Sequence, residues 1–172
     1  MRIPRITAEA ASKLILRFSV SDLLVHALVI ELEAMQSYRE LAQLMEQSGN
    51  AEVAEIFTKM SGIEAKHATI IDDQLIGFQL PELTTWEYRW RGLEAPENIN
   101  RARLVERMTP YQALSLALDN EKRARKFYGY VVDDSTDERV RELAAEFAVE
   151  EEQHVAWVEE WLAEELLSHK RP

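Results

Sequence analysis

The stretch Phe57-Thr58-Lys59-Met60-Ser61-Gly62-Ile63-Glu64-Ala65-Lys66-His67-Ala68-Thr69-Ile70-Ile71 decides how this chain folds. Phe57, Met60, Ala68 and Ile71 recur at the three-to-four-residue spacing of one helix face, so the segment reads as an amphipathic helix. Glu64 stands in the middle of that apolar face, and His67 lines up with Met60, Ile63, Ile70 and Ile71. A carboxylate on a buried face is costly, or has its pKa driven upward, unless a cation meets it. The helix is therefore built around something that wants acid.

The same break in pattern recurs on three other segments. Glu31 is flanked at helical spacing by Ala27, Leu28, Ala34, Met35 and Tyr38, while Glu33 sits over Gln36, Ser37 and Glu40 on the wet side. Glu121 follows Leu114, Ala117 and Leu118 and precedes Ala124 and Tyr128. Glu151 and His154 share a face with Val140, Ala144, Phe147, Val158 and Trp161, a better fit than Glu150 or Glu152 would give. Four carboxylates and two imidazoles are expected to point inward. Among basic residues, only Arg125, one turn beyond Glu121, sits where it could answer them. Divalent metal is the simplest neutraliser.

Punctuation sets the helix order. An N-terminal extension, 1–20, contains a short helix from about Thr7 to Phe18. A first hairpin, 21–76, opens at a Ser21-Asp22 cap and turns at Gly49-Asn50. A second hairpin, 109–167, opens at Thr109-Pro110-Tyr111-Gln112, where Thr caps, Pro takes the first turn and Gln closes a capping box. It turns at Asp133-Asp134, and Ser135-Thr136-Asp137-Glu138 reads as another capping box. Residues 77–108, with Trp86 and Trp90, show no period and form a long crossover. Short, long and short connections predict one all-α domain, a four-helix bundle of two antiparallel hairpins. Glu31 lies 18 residues before Gly49, with Glu64 and His67 15 and 18 after it. Glu121 lies 13 before Asp134 and Glu151 17 after. At about 1.5 Å per residue the acids are level to within roughly one turn.

The two halves also repeat. Glu31, Ala34 and Tyr38 match Glu121, Ala124 and Tyr128, and a Glu-x-x-His follows 33 residues on in the first half and 30 in the second. In this the chain resembles the ferritin-like di-iron carboxylate proteins, and among them the rubrerythrin type, over about Ser21 to Leu167. The resemblance implies a ferritin-like bundle holding two irons, with manganese or zinc as other occupants. It implies Glu31 and His67 as terminal ligands of one metal, Glu121 and His154 of the other, and Glu64 and Glu151 as bridges. Tyr38 and Tyr128 would hydrogen-bond a ligand or supply an electron. Two departures stand out: no cysteine is present to form the rubredoxin-type electron donor, and Ala124 replaces the family's extra Glu. An external electron donor is then required.

The expected function is oxidoreductase chemistry on hydrogen peroxide or dioxygen, as a peroxidase or ferroxidase. Alternatives are a di-iron hydroxylase of a quinone-like substrate and a non-enzymatic iron-handling bundle. A homodimer is the expected assembly. The remaining composition agrees with a globular protein: 47% hydrophobic, 30% charged, five Gly and five Pro in 172 residues. A net charge of −11 argues against nucleic acid. Zero Cys rules out disulfides, thiolate metal sites and a thiol nucleophile. No apolar run suits a signal peptide or membrane span, so the cytoplasm is the expected location. His26 reads as a structural histidine, His169 as solvated, and the tryptophans as core or interface.

Overall fold

The computed structural model describes residues 17–79 and 108–168. Nearly all of the expected short N-terminal helix (7–16 of 7–18), most of the crossover with Trp86 and Trp90, and His169 lie outside them. The described residues form four helices and no strand: α1 Val20–Gln47, α2 Ala51–Gln74, α3 Pro110–Asp134 and α4 Glu138–Ser168.

Local chemistry fixes each end. The cap of α1 is Ser19, not the expected Ser21-Asp22. Asp22 occupies the third helical position and returns a bond to the Ser19 N–H, completing a box. At the other end Gly49 takes φ 79°, a conformation that favours glycine. The Asn50 N–H then reaches Met45 O at 2.8 Å and the Gly49 N–H reaches Glu46 O at 3.0 Å, satisfying carbonyls that the helix end leaves open. Asn50 also caps α2 through its side chain. The Thr109–Gln112 box opens α3 as the sequence predicts. The cap of α4 differs from expectation. Asp137 Oδ1 accepts from the Arg139 and Val140 amides, while the Ser135 N–H still bonds Val131 O at the end of α3. So short a turn leaves Ser135 finishing one helix, and the cap passes to Asp137.

Two apolar clusters give the topology. One joins the second half of α1 (Ala34 to Met45), the first half of α2 (Val53 to Met60), the start of α3 (Met108 to Ala117) and Val158 of α4. The other joins the first half of α1, Ile71 of α2, Ala124 to Val131 of α3 and Val140 to Phe147 of α4. Helices α1 and α4 therefore run one way, and α2 and α3 the other. Asn50 Nδ2 donates to Met108 O at 2.7 Å, tying the α1–α2 turn to the entry of α3. The end of α2 therefore lies at the pole opposite to the start of α3, about 36 Å away for a 24-residue helix. This is the ferritin-like arrangement. No described helix is long and apolar enough to cross a membrane.

Candidate metal centre

Between the two apolar clusters lies a polar layer. Glu31, Glu64, Glu121, Glu151 and His154 are all buried there, each from mid-helix, where backbone bonding and flanking core residues hold the side chain's base. One atom each of Glu64, Glu121 and His154 lies within 4.8 Å of the others, a spacing one cation could bridge. Glu121 is gripped from two sides: Tyr38 Oη donates to its Oε1 at 2.9 Å, and His154 Nδ1 stands 3.1 Å from its Oε2. His154 Nδ1 is also 3.6 Å from Glu151 Oε2. The Glu31 and Glu64 carboxyls hydrogen-bond each other, while Glu64 Oε1 is buried without a hydrogen-bond partner.

His67 differs from His154. Its ring is half-buried, consistent with exposed Ile70 beside it, so it occupies the edge of the α2 stripe. His67 Nε2 is 3.2 Å from His154 Nε2, and its Nδ1 faces Glu150 at 3.9 Å. The repeat's two tyrosines are both fully buried. Tyr38 reaches Glu121, and the Tyr128 ring lies 5.3 Å from those of Phe127 and Phe147. Arg125 does not turn inward; it is exposed and pairs with Glu152. His26 is buried at the end of α1 with Nδ1 2.6 Å from Asp22 O and its ring against Phe18, away from the acidic layer.

Protonation reflects crowded acid. Burial pushes the Glu31 carboxyl up to about 7 despite the bond from Glu64, and Glu151 up to about 8 despite His154. Glu64 is driven well up by burial and then by the charges of Glu121 and Glu31. Burial pulls His154 down, but its bonds to Glu121 and Glu151 outweigh that and raise it to about 10. His67 falls to about 4 through burial and the nearby His154 charge. With Arg125 outside, the proton on His154 and those shared among the carboxyls do the neutralising that a divalent ion would do better. The donor set of carboxylate oxygens and imidazole nitrogens, with one carboxylate oxygen unpartnered, fits iron, manganese or zinc.

Two side chains at this layer escape the sequence reading. The sequence offers Glu150 as a weaker alternative to Glu151, and in the structure it stands beside His67. Trp157, expected in core or interface, stacks on His154 with centroids 5.5 Å apart and remains exposed. Its spacing three residues after His154 is the signal that could have found it.

The rubrerythrin family model matches residues 22–108, just over half the chain. A solved structure of an uncharacterised conserved protein from Magnetospirillum magnetotacticum MS-1 is 33% identical, covers 86% of this chain and 95% of its own, and superposes with a TM-score of 0.67. No curated protein matches. Matched along α1 and α2, which carry Glu31 and the first Glu-x-x-His, the chain belongs to the rubrerythrin family.

Proposed function

We propose that this chain is a di-iron oxidoreductase that binds its metals through Glu31, Glu64, His67, Glu121, Glu151 and His154 and reacts with hydrogen peroxide or dioxygen. The observation that carries this reading is the convergence of buried Glu64, Glu121 and His154 from three different helices. Two ferrous ions, when bound, supply two electrons to one O–O bond. The protein does the rest. Glu121 is held in one orientation by Tyr38, so its carboxylate is aimed before any ion arrives. The apolar clusters above and below the layer exclude water and strengthen every charge interaction inside it. The raised carboxyls and His154 give up protons as cations replace them, so binding weakens as pH falls.

Anaerobic protein loaded with Fe(II) and mixed separately with peroxide and with air-saturated buffer tests the reading. Oxidation that outpaces free Fe(II), consumes oxidant in proportion to loaded chain and disappears in Glu64→Ala supports it. Loaded protein that reacts with neither oxidant faster than free Fe(II) contradicts it.

A further inference from the structure

A di-iron centre that reduces peroxide must be recharged with electrons, and the acidic layer is shielded from solvent in most directions. The carboxylates and His154 are almost fully buried, with His154 only 1% exposed. On the α3 side of α4, the cross-helix pairs Arg125–Glu152 and Lys122–Glu159 line the seam. On the opposite side of α4, Trp157 and Glu150 share one face, two turns apart. Glu150 there borders half-buried His67, and Trp157 covers His154. The indole is 41% exposed, and its ring lies 25° from parallel to the imidazole at 5.5 Å between centroids.

We propose that Trp157 is the electron-entry residue of this centre. This inference rests on the di-iron reading above. The indole is part-exposed to solvent and stacks on the His154 ring, whose Nδ1 lies 3.1 Å from Glu121 and 3.6 Å from Glu151. Electron transfer slows exponentially with the gap between donor and acceptor orbitals. An aromatic ring spanning from surface to ligand removes most of that gap, where an aliphatic side chain would leave it open. The donor is a one-electron reductant, such as a reduced iron–sulfur or flavin protein. Each contact oxidises one donor and delivers one electron by way of Trp157 and His154. Two deliveries supply the electrons that turn one hydrogen peroxide and two protons into two waters. The indole is the bridge across which the electron tunnels; it keeps its own oxidation state and exchanges no atoms.

The test compares parent, Trp157→Phe and Trp157→Leu, each loaded with iron, oxidised and mixed anaerobically with reduced methyl viologen. Iron per chain is measured on the same samples, together with the fluorescence lost on iron loading. Equal iron in all three is expected, with the parent alone showing the quenching that Trp157 contributes. Trp157→Leu should be reduced on the order of tenfold more slowly, the change that about 1.4 kcal/mol of barrier produces, and Trp157→Phe should recover most of the rate. Reduction of Trp157→Leu at the parental rate with iron intact overturns the proposal. Loss of iron in Trp157→Leu also overturns it, since Trp157 would then only brace His154. A parent that binds no iron instead defeats the di-iron reading itself.

Discussion

Replacing Glu151 by Gln should stabilise the metal-free protein while ruining its metal site, and the pH dependence carries the proof. Glu151 is buried, and its carboxyl is raised from 4.5 to about 8, first by burial. The unfolded chain gives up this proton near 4.5 and the folded chain keeps it to about 8. Stability from this group is therefore full below 4.5 and is lost as pH rises through 8. The loss is roughly 4 kcal/mol by pH 7.5, and the change across the window from pH 6.5 to 8.5 is roughly 2 kcal/mol for a pKa near 8. Glu31 and Glu64 act in the same direction, and His154, raised from 6.5 to about 10, adds a loss above 6.5. His67, lowered to about 4, opposes them only between 6.5 and 4, so the window above 6.5 is clear of it. Urea unfolding of chelator-treated protein from pH 6.5 to 8.5 reads the effect. The parent should weaken steadily with pH. Glu151→Gln should show a shallower fall and exceed the parent at pH 7.5. A parent whose stability is flat or rising over this window, or a variant with the same slope, would refute the reasoning.

Other substitutions probe the frame around the site. Tyr38→Phe leaves buried Glu121 Oε1 without its donor and should cost about 1.5–3 kcal/mol in urea unfolding of the metal-free protein, with weaker iron binding alongside. Phe57→Ala opens a cavity beneath Tyr38, whose ring stacks on it at 6.1 Å, and should cost roughly 3–5 kcal/mol by the same assay. Thr109→Ala removes the cap of α3 and should cost about 1 kcal/mol while leaving iron stoichiometry unchanged.

Much of this was legible because burying an acid is expensive enough to leave a mark in the sequence. Glu31 could be told from Glu33 by its neighbours alone, and the structure buries the first and exposes the second. Gly49 and the Thr109–Gln112 box were equally plain, since few residue types take a positive φ or close a box. Boundaries were harder where several cap residues crowd together. Ser19, Ser21 and Asp22 all offer oxygens, as do Ser135 and Asp137, and the choice falls to how the preceding residues leave the previous helix or turn. What the sequence could not reveal is asymmetry between its matched halves. Tyr38 and Tyr128 occupy equivalent places in the repeat, as do His67 and His154. Yet His154 is buried against Glu121, while His67 lies at the edge facing Glu150. Arg125 shows the same limit: a helical wheel places it near Glu121, and its long side chain swings out to Glu152.

The most direct test of the six-residue centre is iron bound per chain after anaerobic Fe(II) loading and desalting, in the parent beside Glu64→Ala and Glu151→Ala. The account predicts two irons in the parent and a sharp fall in both variants, with their helix content retained. A parent that holds no iron, or variants that hold as much as the parent, would contradict it.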